Sequence, residues 1–293
     1  MNYLIALSVP FLWGTSYAVI GLYLTDIPAP WLAFLRALPA GLILLALKPK
    51  RCTLPKSQML LISLGNIALF FPLLMCAIYL LPGSVAGTLG ATFPLVMMLF
   101  NWLIYKVKPN AKSLICAIIG LAGVTMLLNP SVDVNPLGVI AAFSAISIMS
   151  ITSIWMKRLV INDVLNVSAW QLITGGILML PFAYLYSGPL ELPTIDMLPG
   201  LVWLIGLNTA YGYWAWVRSL KLLGTETMGV FSLLNPLVAV LLGVYLMGEH
   251  LDALQNIAIV LIFSALLFST PASIKMLRYL VGTCTQRRSK HSC

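Results

Sequence analysis

The chain has 293 residues, 60% of them hydrophobic and 9% charged, with a formal net charge of +9. A water-soluble domain carries about 25% charged residues to wet its surface, so this composition excludes a soluble globular protein and calls for a surface that faces lipid. The lysines and arginines fall in short clusters between apolar runs rather than on one basic face, which excludes nucleic acid as a partner.

A helix needs about 20 apolar residues, at about 1.5 Å each, to cross the hydrocarbon core. In chain order, runs of that kind predict spans at 3–24, 31–47, 58–81, 84–105 and 113–128, then at 137–156, 167–186, 198–217, 226–247 and 253–270. Gly and Pro punctuate the joints, as in Leu81-Pro82-Gly83 and Ser187-Gly188-Pro189. Met1-Asn2 offers no positive n-region, so the first run reads as a retained span and not a cleaved signal.

Charge tests the count. With the N-terminus in the cytoplasm, every lysine and arginine except Arg36 falls in a cytoplasmic loop or in the tail, from Lys48, Lys50, Arg51 and Lys56 through to Arg287, Arg288 and Lys290. One span more or fewer would move each later cluster to the wrong face, against the cytoplasmic bias of cations. The parity therefore predicts ten spans with both termini cytoplasmic. No cysteine falls in an external loop, so no disulfide framework is expected.

The halves resemble each other at a shift of about 142 positions, which sets Leu81 on Leu223, Gly87 on Gly229, Pro94 on Pro236 and Trp13 on Trp155. Five is odd, so the second unit must enter the membrane from the opposite side. The expected fold is an all-α integral membrane protein of ten transmembrane helices in two inverted five-helix repeats. Residues 3–128 form the first, 137–271 the second, and 272–293 a basic cytoplasmic tail. Secondary transporters use such pairs, with the solute near the midplane between them.

Three stretches carry a family resemblance: Pro-Phe-Leu-Trp-Gly-Thr-Ser-Tyr at 10–17, Phe-Leu-Arg-Ala-Leu at 34–38, and the proline-to-glutamate run at 233–249. With the ten spans and the repeat, the chain resembles the EamA-type family of the drug/metabolite transporter superfamily over about residues 3–271. The resemblance implies export of metabolites such as amino acids. Where the family usually has Glu before the ninth-span proline, this chain has Asn235, and the first half closes with Ile104-Tyr105-Lys106 in place of Gly-Glu.

Arg36 is the one charged residue well inside a span, roughly 8 Å along the helix from Trp31. It attracts a substrate carboxylate, or its long stem snorkels outward, or it pairs with helix-end carbonyls. No Asp or Glu lies deep in any span, which disfavours a proton relay or a permanent-cation site. Pro94 and Pro236 each remove a helical hydrogen bond, releasing the carbonyls of Gly90 and Ser232 as cavity lining or as hinges. Trp13, Tyr17, Tyr79, Trp102, Trp155, Tyr211 and Trp214 line a cavity or sit in the interfacial belt. Among the amides, Asn208 and Asn235 are the substrate-binding candidates.

An enzyme would need buried nucleophiles, paired acids or metal ligands, and no such constellation exists, so no cofactor and no metal is expected. No P-loop pattern supplies ATP drive. The reading is a secondary transporter exporting small organic metabolites across the inner membrane, its partners a small-molecule substrate, membrane lipids and, as an open option, a second copy in a homodimer. The alternative is a non-transporting membrane subunit or scaffold, which packing residues alone do not distinguish.

Overall fold

A computed structural model of the protein describes residues 2–81, 83–128, 135–247 and 252–269. Tail residues 272–293, Asp133, Glu249 and both histidines lie outside that set. The described residues form helices joined by turns and short loops, with no strand among them. The first span is α1 (Asn2–Gly14) and α2 (Ser16–Tyr23), followed by an unbroken α3 (Ala29–Leu47). The third joins α4 (Lys56–Ser63) to α5 (Phe70–Leu80) through a π-helical stretch at Leu64–Leu69. Then come α6 (Gly83–Gly90), α7 (Phe93–Tyr105) and α8 (Ala111–Leu128).

The second half opens with two long helices, α9 (Pro136–Arg158) and α10 (Val164–Ser187). After them α11 (Leu198–Val202) runs through a second π-helical stretch at Trp203–Tyr211 into α12 (Gly212–Leu223). The chain continues with α13 (Thr225–Phe231), α14 (Leu234–Met247) and α15 (Ala253–Ser269). Among the described residues, eight helical runs are long and apolar enough to cross a membrane, and Ala253–Phe268 is a shorter apolar helix. The expected span at 198–217 is not among the eight. That run carries Asn208, Thr209 and five tryptophans and tyrosines, Trp203, Tyr211, Tyr213, Trp214 and Trp216, among its apolar residues, which lowers its hydropathy.

Helix starts follow local chemistry. Asn135 caps α9 by accepting from the Leu137 and Gly138 amides at 2.9 and 3.4 Å, with Pro136 at the first position where no amide is needed. Asp163 caps α10 through the Asn166 amide and also pairs with Lys48 at 2.6 Å, joining the end of α3 to the start of α10. Asn166 is buried and clasps the Lys50–Thr53 backbone, accepting from the Thr53 amide at 3.0 Å and donating to the Lys50 carbonyl at 3.1 Å. At the other end of the same pair, Trp31 donates to the Gly188 carbonyl at 3.1 Å. So α3 and α10 pack along their lengths in opposite directions.

Small residues permit that approach. A Cβ on Gly41 would lie 2.8 Å from Ile173, and one on Gly176 2.9 Å from Leu38. Gly175 faces Ile67 of the first π stretch, where an added Cβ would collide with the isoleucine side chain. Without a hydrophobic drive between helices in lipid, such close packing holds the bundle together.

These contacts set a contrast between two glycines. Gly175→Ala should cost about 1–3 kcal/mol through overpacking, although alanine favours a helix. Gly21→Ala, with open space around its Cβ, should leave stability unchanged or slightly raised. Melting temperatures in one detergent check the pair. The Lys48 ammonium holds the Asp163 carboxyl below the usual carboxylate range, so this ion pair stabilises the fold at neutral pH and is lost as pH falls through that lowered value. The stability gap between wild type and Asp163→Asn should be about 1 kcal/mol or less near neutrality and should close below about pH 4.

Candidate functional site

The first span is broken between α1 and α2. It opens at Thr15, whose amide and hydroxyl both fold back onto the Leu12 carbonyl, at 3.1 and 2.7 Å. In lipid, backbone groups freed in this way must be satisfied inside the protein. Asn208, in the second π stretch, supplies the remedy: its Nδ2 donates to the Leu12 carbonyl at 2.6 Å and to the Ser16 hydroxyl at 2.8 Å. A π turn carries an extra residue, which leaves a carbonyl for a tertiary donor. Here the Asn208 carbonyl takes the Trp13 indole N–H at 3.0 Å.

The same amide holds the buried cation. Arg36 is 5% exposed, and its Nη2 donates to Asn208 Oδ1 at 2.7 Å while its Nε donates to the Thr209 hydroxyl at 3.2 Å. The guanidinium lies 4.7 Å above the Phe71 ring. All these partners are neutral. The only ion pair among the described residues is Lys48–Asp163, so Arg36 is an inward-held charge without a protein counter-ion in that set. The side chain does not snorkel outward, and the partners it has are the Asn208 and Thr209 side chains, not helix-end carbonyls.

Arg36 lies on the wall of a cavity of about 500 Å³. Five rings form a connected row along it: Phe71 and Tyr213 are 6.1 Å apart, Tyr213 and Trp13 5.8 Å, Trp13 and Trp216 5.3 Å, and Trp216 and Phe93 6.1 Å. Ser16, Ser232, Asn235 and Gln255 are polar wall residues, and no acidic side chain is on the wall among the described residues.

Of the residues singled out in the sequence, Trp13, Arg36, Gly90, Ser232, Asn235 and Pro236 are on this wall. Asn208 stands behind it, positioning Arg36. Pro94 is buried against Gly229 instead. The helical runs α6–α7 and α13–α14 break at Ala91–Thr92 and at Ser232–Leu233, just ahead of Pro94 and Pro236. The Thr92 and Ser232 hydroxyls close those breaks on the Leu89 and Gly229 carbonyls, each at 2.6 Å. The Ser232 carbonyl, expected to be released by Pro236, accepts the Asn235 amide at 3.0 Å.

The remaining aromatics sit elsewhere. Tyr79 and Trp102 are 66% and 46% exposed on the outer surface. Trp155 packs beside Leu54 and Met59, Tyr211 meets the Ser8 hydroxyl at 2.9 Å, and Trp214 stacks near Tyr211 and Arg218. The Tyr17 side chain lies outside the described residues. Sequence reasoning passed over Phe71, Phe93, Tyr213 and Trp216. The pattern Tyr213-x-x-Trp216, on one face of α12 and buried while the outer aromatics are exposed, needed the packing to be seen.

Asn208→Val should strip Arg36 of the shorter of its two anchors and take from the Leu12 carbonyl and the Ser16 hydroxyl the donor that joins them to the other half. Thermal unfolding in detergent should then reveal a loss of about 1–3 kcal/mol, whereas Trp102→Leu on the lipid face should change stability little.

Comparison with known proteins agrees with this architecture. The model of the EamA-like transporter family matches residues 1–129 and 136–270. Protein PecM of Dickeya dadantii (strain 3937) is 32% identical over 280 residues, 92% of each chain. The uncharacterized inner membrane transporter YedA of Escherichia coli (strain K12) is 25% identical over 269 residues, 87% of this chain and 86% of its own. A solved crystal structure, 21% identical, superposes with a TM-score of 0.79 over 92% of this chain and 98% of that one, a likeness of fold. The chain belongs to the EamA-like transporter family, within the drug/metabolite transporter superfamily, and that family is one of membrane transporters and not of enzymes.

Proposed function

We propose that this member of the EamA-like transporter family is a secondary transporter. It exports a small organic metabolite, an amino acid or a derivative of one, across the inner membrane by alternating access. Its working frame is ten spans in two inverted five-helix halves, residues 3–128 and 137–271, with both termini cytoplasmic. The inner membrane is the location named for YedA.

The packing supports the two-halves reading. Span pairs that the repeat would equate contact each other in the same way: α1 with α12 as α5 with α9, and α1 with α14 as α9 with α7. The helices α3 and α10 each carry an internal proline, Pro39 and Pro181, and lie against each other antiparallel. Each π stretch holds a buried asparagine, Asn66 and Asn208, whose backbone carbonyl accepts an aromatic side-chain donor, from Tyr213 at 3.3 Å and Trp13 at 3.0 Å. The proline pair and the asparagine pair share the shift of about 142 positions read from the sequence.

The helix ends support the orientation. Lys157 and Lys221 each donate to the other's backbone carbonyl, so the C-terminal ends of α9 and α12, with their negative dipole poles, meet at one face. That face is the cytoplasmic one by the bias of cations.

One observation carries the function: a cavity between the halves, lined from both, with a charge held at its wall by a residue of the other half. Arg36, Trp13 and Asn235 are the wall residues for the solute, and the breaks at Ala91–Thr92 and Ser232–Leu233 are the hinges. A scaffold has no use for a cavity that keeps a cation in the membrane. Proteoliposomes containing only this protein, loaded with a labelled metabolite pool, should release particular solutes faster than protein-free vesicles. A protein-dependent rate of zero for every solute would leave the scaffold reading in its place.

A further inference from the structure

Resting on the reading of this cavity as a solute site, we infer that the solute is an organic monoanion with a planar, apolar body and no ammonium group. Its carboxylate, or an equivalent oxyanion, sits on Arg36, and its flat body lies along the ring row from Phe71 to Phe93. This narrows the metabolite class from amino acids to derivatives that have lost or masked their amine.

The electrostatics lead there. Arg36 donates to two neutral acceptors, which use two of its five N–H donors. A guanidinium kept in a membrane interior is costly unless an opposite charge meets it. Among the described residues no carboxylate does so, and none lines the cavity. A bound anion therefore removes a penalty that the empty site carries, and the planar fork suits a carboxylate held by two parallel hydrogen bonds. An ammonium on the same molecule would meet the uncompensated charge of Arg36 and, among the described residues, would find no carboxylate on the wall. It would find only the neutral Ser16, Ser232, Asn235 and Gln255 and the ring faces, whose attraction for a cation does not offset a second positive charge.

Shape gives the second half of the inference. Trp13, Phe71, Phe93, Tyr213 and Trp216 stand with neighbouring centroids 5.3 to 6.1 Å apart, and Leu74, Met75, Ile146 and Met149 complete an apolar wall. Such a surface takes a ring by stacking and edge contact, not a polyhydroxylated solute that would leave its hydroxyls unsatisfied. The cavity volume of about 500 Å³ accommodates one solute of that size with room for water.

The test holds the ring constant and changes the charge. Phenylacetate, phenylalanine, phenethylamine and 2-phenylethanol are titrated calorimetrically into the full chain in detergent. Phenylacetate should bind about tenfold or more tighter than the other three. Arg36→Gln should erase that preference, and Arg36→Lys should keep part of it. Because Arg36→Gln removes a buried anchor, Asn208→Asp provides an independent check. It leaves Arg36 in place and sets a carboxylate where Asn208 Oδ1 now lies, 2.7 Å from the guanidinium, at the loss of the Nδ2 donor to Leu12 and Ser16. Binding is therefore read on protein that elutes as a single folded species, and there anion preference should collapse.

Phenylalanine binding as tightly as phenylacetate, or an unchanged preference in both Arg36→Gln and Asn208→Asp, would overturn the proposal. Flux in proteoliposomes separates this from the transport reading. Anion-selective binding without any flux sustains the site and rejects transport, whereas flux favouring phenylalanine or phenethylamine sustains transport and rejects the anion.

Discussion

Everything near the cavity depends on a requirement that lipid imposes: a helix broken inside the membrane must have its freed backbone groups satisfied within the protein, by a nearby hydroxyl or by a neighbouring helix. The first span breaks at Thr15, and the amide of Asn208 reaches across from the other half to close the break. One side chain thereby ties three elements together, since it also accepts from Arg36 on α3. The π stretch at Trp203–Tyr211 turns Asn208 toward that junction and leaves its carbonyl for Trp13. Charge, break and aromatic wall are consequences of one polar knot.

The knot also explains where rigidity and freedom lie. The helices α3 and α10, packed through Gly41 and Gly176, form a tight antiparallel pair pinned at both ends, by Lys48–Asp163 and by Trp31 on the Gly188 carbonyl. Around the cavity the runs α6–α7 and α13–α14 are broken, and their breaks are closed by local bonds alone, from backbone turns and from the Thr92 and Ser232 hydroxyls. A bundle with a fixed pair and segmented walls is suited to rocking, with the segmented spans absorbing the change. The exposed apolar residues, such as Leu185, Tyr186 and Tyr245, belong to the lipid-facing surface.

Much of this was legible in the residues. Runs of apolar residues and the placing of cations outlined the spans, because membrane thickness and charge bias act on sequence directly. The run at 198–217 falls short of an apolar span because Asn208, Thr209 and the clustered Trp203, Tyr211, Tyr213, Trp214 and Trp216 lower its hydropathy. The π stretch in its middle, with Asn208 facing inward, is by contrast a feature that periodicity does not mark. Arg36 was visible as the lone charge within a span, yet its partners Asn208 and Thr209 lie more than 170 positions away. Tyr79 and Trp102 had the same composition signal as Trp13, and only packing separates an outer ring from an inner one. The two prolines were seen, but the helices break a few residues ahead of them, where Thr92 and Ser232 offer hydroxyls.

The central claim is that the cavity opens to each side of the membrane in turn, and Ala239 on its wall provides the most direct probe. With the native cysteines replaced and Ala239→Cys as the only thiol, a membrane-impermeant maleimide is applied to right-side-out and then to inside-out vesicles. Labelling from both faces, slowed by a bound solute in each case, is the predicted result. Labelling from one face alone, at every solute concentration, would contradict the account.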